Sequence, residues 1–95
     1  MPPSLQAAHV VVKGRVQGVG YRFFAQDAAE TYGLKGWVRN RSDGSVEAVL
    51  CGPPDTVDNM IELCRKGPRL SAVTKLTTSP AADESWPDFS VRPSG

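Results

Sequence analysis

One histidine, two cysteines and no long apolar run remove several classes of protein at once. The only histidine, His9, lies inside an apolar run, and no carboxylate cluster accompanies it, so a zinc site or a histidine-based triad has no raw material. Cys51 and Cys64 have no metal-ligand spacing. They fall at the end of a strand-like run and on an apolar helix face, where small buried residues are expected; nothing supports a disulfide between them. No stretch is long enough to span a bilayer, so no membrane partner is expected. The Met-Pro-Pro-Ser start lacks the regions of a signal peptide, which makes the cytoplasm the default. A net charge of +1 leaves no broad basic stripe for nucleic acid. Local basic character exists near Lys13, Arg15 and Arg22 and in Arg39 and Arg41, enough for a small anion.

The most informative stretch is Gly14-Arg15-Val16-Gln17-Gly18-Val19-Gly20-Tyr21-Arg22. An apolar, β-prone run precedes it and a helix-like run follows, so it reads as a glycine-rich turn from strand to helix. Glycine lets the chain curl and aim successive N–H groups into one concavity. The first N–H groups of the following helix are unpaired and point the same way. A phosphate fits such a cradle, here Arg15, Val16, Gln17, Gly18, Val19 and Gly20, and Arg22 would close it with a planar fork of donors. The same pattern also serves as a plain tight turn with a solvated arginine. The loop lacks Gly-Lys-Ser/Thr and is not Gly-x-Gly-x-x-Gly, which disfavours a nucleoside triphosphate or dinucleotide.

Ninety-five residues are expected to form one domain, 1–95. Residues 1–5 are Pro-rich and expected to fray. Strands are predicted over Ala7–Lys13, Leu34–Arg41, Ser45–Cys51 and Leu70–Thr77. Tyr21–Tyr32 has apolar residues at 21, 24, 25, 28 and 32, a helical period stopped by Gly33. A second helix opens at Gly52-Pro53-Pro54-Asp55, with Asp55 and Asp58 suiting its N-terminal dipole. It carries an apolar stripe of Val57, Met60, Ile61 and Cys64 and ends at Gly67-Pro68. Residues 79–87 read as a loop, and Asp88–Arg92 has room for a short fifth strand around Phe89 and Val91. The order is an α+β, ferredoxin-like βαββαβ, with two helices on one face of an antiparallel sheet. Right-handed crossovers then bring the C-terminal ends of strands one and two to the same edge. The glycine loop, Arg22 and Asn40 are expected to converge there. Asn40 is a poor strand residue that shares a face with Val38, as an amide aimed at the loop's contents would; a strand-end asparagine bonding its own turn fits too.

The glycine stretch, followed by Gly33-Leu34-Lys35-Gly36-Trp37-Val38-Arg39-Asn40 and Asp43-Gly44-Ser45-Val46-Glu47, resembles the acylphosphatase family over nearly the whole chain. Gly67-Pro68 and the segment at Phe89 resemble it too. The resemblance implies a small hydrolase that cleaves acyl phosphates, its small-molecule substrates, without metal or other cofactor. It also implies that Arg22 binds the phosphate, that Asn40 orients the water and that residues 15–20 form the backbone cradle. Many members carry threonine three places after the arginine; this chain has Ala25, so turnover is open to change. The Gly20-Tyr21-Arg22 variant also resembles the acylphosphatase-like domain of hydrogenase-maturation carbamoyltransferases, which precedes zinc-finger-like and transferase regions; a free-standing enzyme and a monomer are the expectation here. Arg15 and Lys13 are expected to be solvated cations, Gln17 a brace for the loop, Trp37 and Tyr21 packing residues, and Glu47 an exposed strand residue. The rivals are a non-catalytic phosphate or acyl-phosphate sensor and an RNA-binding module of the same topology. The latter would display aromatics on its central strands, which Val10–Val12 and Val46–Leu50 lack.

Overall fold

Period-two alternation of small and branched apolar residues builds one side of a sheet, and two helices close over it. The computed structural model describes residues 5–95; the first four residues of the segment expected to fray lie outside them. The elements run β1 (Gln6–Arg15), α1 (Tyr21–Tyr32), β2 (Lys35–Asn40), β3 (Val46–Gly52), α2 (Pro54–Lys66), β4 (Ala72–Pro80) and β5 (Phe89–Val91). The strand order is β4-β1-β3-β2-β5. Neighbours are antiparallel except β2 and β5, so the fifth strand makes the expected antiparallel sheet a mixed one. This is the ferredoxin-like arrangement read from the element order.

Ala8, Val10 and Val12 of β1, Val46, Ala48 and Leu50 of β3 and Val38 of β2 all turn inward. Val57, Met60 and Cys64 of α2 cover them, with Ile61 at the margin, as its apolar stripe predicts. In α1 the buried residues are Tyr21, Ala25, Ala28 and Ala29. Tyr32, expected on that stripe, is 40% exposed. The helix is rolled so that a row of alanines meets the sheet, and Gly33 then ends it with a left-handed cap. The N–H groups of Gly33 and Leu34 satisfy the carbonyls of Glu30 (3.1 Å) and Ala29 (2.8 Å). The fourth strand is shifted toward the C-terminus relative to Leu70–Thr77. A turn in which the Ser71 N–H and hydroxyl both reach the Pro68 carbonyl (2.9 and 2.7 Å) delays its start. Its run to Pro80 is tolerated because β4 is an edge strand.

Candidate active site

The sheet register sets the geometry of one rim. Val12 pairs with Val46, and Val46 pairs with Asn40. These three residues form one row across β1, β3 and β2, so Asn40 stands two strands, about 10 Å, from Val12. Because β1 and β2 are both antiparallel to β3, their C-terminal ends share this rim. Parity along β2 puts Asn40 on the helix side with Val38, half-buried, and Val38 is fully buried. β5 ends here as well. Arg92 donates its N–H to the Val38 carbonyl (2.9 Å), and Gly95 donates to the Asn40 carbonyl and accepts from the Ser42 N–H (3.0 and 3.1 Å). The sequence does not announce this strap over Asn40, since Pro93-Ser94-Gly95 has no strand signal.

The loop leaving β1 begins with a bulge between Lys13 and Gly14. Gly14 has φ 121°, and a Cβ there would lie 2.1 Å from the Ala72 carbonyl oxygen, so only glycine lets β4 approach so closely. Val16 is buried in the core and Val19 packs against it, which ties the loop down by its side chains. Gly18 and Gly20 take left-handed φ values of 73° and 80°. Gly20 caps α1, and the first backbone bond beyond β1 runs from the Phe24 N–H to the Gly20 carbonyl (3.0 Å). Among the described residues, the backbone N–H groups from Val16 to Phe23 therefore have no carbonyl partner outside the ladder of β1. Gln17 braces the loop as expected: its side-chain amide donates to the carbonyls of Arg41 (2.8 Å) and Ser45 (2.9 Å). These carbonyls flank the β2–β3 hairpin that starts directly after Asn40.

Arg22 sits half-buried in the first turn of α1, where no acidic residue accompanies it. Among the described residues, neither its guanidinium nor the Asn40 amide is engaged by another protein group. Arg22 lines a cavity of about 200 Å³ with Phe23, Gln26 and Val91. Phe23 and Gln26 carry no site signal of their own in the sequence, and Val91 is legible there only as a strand residue. The spacing of Arg22 and Gln26, one helical turn apart, was the available signal. Arg15 and Lys13 are exposed, as solvated cations are. Ala25, three places after Arg22, is fully buried and adds no hydroxyl to this turn.

Supporting groups brace the rim and the elements behind it. Asp43 Oδ1 accepts from the Ser45 N–H (2.9 Å) and from the Ser45 hydroxyl, and these bonds hold its carboxyl below the usual range. The Tyr21 hydroxyl donates to the Cys64 carbonyl and ties the start of α1 to α2; burial pushes its pKa well up and keeps it neutral. Tyr21 is thus a packing residue, as read from the sequence. So is Trp37, buried on the face away from the helices under the guanidiniums of Arg92 (4.6 Å) and Arg39 (5.3 Å). Glu47 is not the exposed strand residue expected. Its side chain is 12% exposed, and it accepts from His9 Nε2 (2.6 Å) and Arg39 Nε (2.7 Å). The register explains this: Arg39 stands directly opposite on β2, and His9 lies on the diagonal of β1. Both cysteines are buried free thiols, and burial raises Cys64 to about 11.

Fold and rim together define a small α+β fold whose strand-to-helix turn presents backbone N–H groups without carbonyl partners among the described residues. The family model for acylphosphatase matches residues 8–91. An acylphosphatase 2 from Ralstonia nicotianae is 53% identical over 85 residues, 88% of this chain and 90% of that protein. The crystal structure of an acylphosphatase from Coxiella burnetii is 39% identical, with a TM-score of 0.89 over 93% of both chains. Full-length HypF, in a phosphate- and nucleotide-bound form, is 28% identical with a TM-score of 0.92, matching 99% of this chain but 12% of that one. This chain belongs to the acylphosphatase family.

Proposed function

We propose that the chain hydrolyses acyl phosphates to a carboxylate and inorganic phosphate, with no metal, at the rim where the glycine loop meets Asn40. The reading is carried by one observation: a run of N–H groups from Val16 to Phe23, free of carbonyl partners and ending in the turn that bears Arg22, is lashed by Gln17 to the hairpin that follows Asn40. Family membership supports the same activity.

An acyl phosphate is a mixed anhydride whose leaving group is a carboxylate, the anion of an acid with pKa about 4. It departs without a general acid. Phosphoryl transfer has a loose transition state with charge spread over the equatorial oxygens, so positioning and charge stabilisation dominate. In this reading, the loop amides and the fork of Arg22 hold those oxygens. The Asn40 side-chain carbonyl accepts a hydrogen bond from water and holds it in line with the scissile bond. Water oxygen bonds to phosphorus as the bond from phosphorus to the acyl oxygen breaks, and the carboxylate leaves with the electron pair. Asparagine is no base near neutral pH, so the water's proton passes to a phosphate oxygen. The reading places one domain over residues 1–95, acting as a cytoplasmic monomer on a small molecule.

The test is turnover of benzoyl phosphate in EDTA by the parent and by Asn40→Ala. Full metal-free turnover is expected in the parent. In the variant kcat falls about a hundredfold while inhibition by inorganic phosphate persists. Phosphate binding without parent turnover would leave a non-catalytic sensor, and parental kcat in Asn40→Ala would remove the role given to the amide.

A further inference from the structure

Two of the five exposed large apolar residues of the described chain, Phe23 and Val91, line the cavity that contains Arg22. Phe23 is 78% exposed and contributes nothing to the core, yet it sits one residue after the arginine in the first turn of α1. Val91 is 38% exposed and lies on the helix side of β5, in register with Val38. Two residues further along β2 comes Asn40. The apolar walls thus continue directly from the phosphate rim, in the gap between the start of α1 and the end of β5. Gln26, one turn beyond Arg22, adds the only uncharged hydrogen-bonding side chain to the lining.

We propose that this cavity receives the acyl group and makes Phe23 a specificity-determining residue for apolar acyl phosphates large enough to meet its ring. The proposal rests on the acyl phosphate reading above and names the acyl class that reading leaves open. Position and size support it. A phosphoryl group against Arg22 directs the acyl part of the mixed anhydride outward, and the adjoining surface is aromatic and aliphatic rather than charged. A volume of about 200 Å³ accommodates a phenyl ring, given that an apolar protein cavity of about 150 Å³ takes up benzene. An acetyl group offers far less apolar surface to these walls than a phenyl ring does.

The experiment compares kcat/KM for benzoyl phosphate and acetyl phosphate, in EDTA, for the parent, Phe23→Ala and Phe23→Leu. The parent is expected to favour benzoyl phosphate. Phe23→Ala lowers the benzoyl-to-acetyl ratio about tenfold, mainly through KM for the aromatic substrate, and Phe23→Leu, which keeps an apolar wall, restores most of it. Far-UV circular dichroism confirms that both variants are folded. An unchanged ratio in Phe23→Ala, with both substrates still turned over, overturns the acyl site alone. A parent that hydrolyses neither substrate overturns the acyl phosphate reading and the acyl site with it.

Discussion

The two rims of the sheet are built from similar pieces and are suited to opposite ends. At each, a strand feeds a helix through a turn rich in glycine or proline, and neither helix has a side-chain cap. The start of α2 is neutralised locally: Pro54 removes one N–H and Asp55 supplies an acid in the first turn. The start of α1 has no acid, carries a cation in Arg22 and follows two left-handed glycines. A cation there works against the helix dipole, an arrangement that costs stability unless an anion completes it. A cavity of about 410 Å³, roomier than the one beside Arg22, lies at the α2 rim, between Gly33, Lys35, Cys51, Asp83 and Trp86. It gathers no run of free amides. Its thiol, Cys51, is pushed up by burial and then by Asp83, away from reactive thiolate. Space does not distinguish the rims; convergent donors do.

The largest expected effect breaks this contrast. Arg22→Ala should lower kcat/KM for benzoyl phosphate about a thousandfold. Arg22→Lys should recover little, because a point charge does not reproduce a planar fork. The matched change at the other rim is Lys35→Ala. Lys35 and Asn40 stand at opposite ends of β2, about 17 Å apart along the strand and beyond the reach of screened charge, so kcat/KM should stay within roughly twofold of the parent. Comparable losses in Arg22→Ala and Lys35→Ala would erase the functional distinction between the rims.

A smaller effect probes how the rim at Asn40 is held. Gln17→Ala removes both amide bonds that join the loop to the hairpin. The abandoned carbonyls keep other donors: Arg41 O accepts from the Gly44 N–H at 3.2 Å, and Ser45 O from the Arg41 N–H at 2.9 Å. Stability should therefore fall by only about 1 kcal/mol in urea denaturation. Loss of placement should weigh more, lowering kcat about tenfold. A kcat equal to the parent's would show that the loop and Asn40 keep their positions without the lash.

Most of the fold was legible because local signals agreed. The glycine stop at Gly33, the proline start of α2 and the alternation of β1 and β3 each pointed to one answer, and the crossover rule carried Asn40 and the loop to one rim. What escaped depends on contacts between segments distant in sequence. Glu47 looks like any polar strand residue until Arg39 and His9 are seen beside it. Tyr32 fits a helical period, but the roll of α1 was set by its alanines. Phe23 reads as one more apolar helix residue, and only its exposure beside Arg22 and Val91 separates it from the core. The strap at Gly95 depends on backbone bonds, which side-chain patterns do not encode.

The smallest effect belongs to the sheet face away from the helices, where Glu47 takes hydrogen bonds from His9 and Arg39. Burial alone would raise its carboxyl, but these bonds and the neighbouring positive charges outweigh that and hold the pKa below its ordinary value. A carboxyl depressed on folding stabilises the folded state above its unfolded pKa, about 4.3, and that contribution fades as pH falls through the folded value. Glu47→Gln should thus cost about 1 kcal/mol at pH 7, a modest figure because His9 and Arg39 are each about one-third exposed. Parent and variant should converge in stability toward acid pH, with the variant's curve flatter below about pH 5. At pH 7 the variant should turn over benzoyl phosphate as the parent does, since Glu47 points away from the rim's donors. A gap in stability that persists undiminished at acid pH would mean that Glu47 acts by packing rather than by charge.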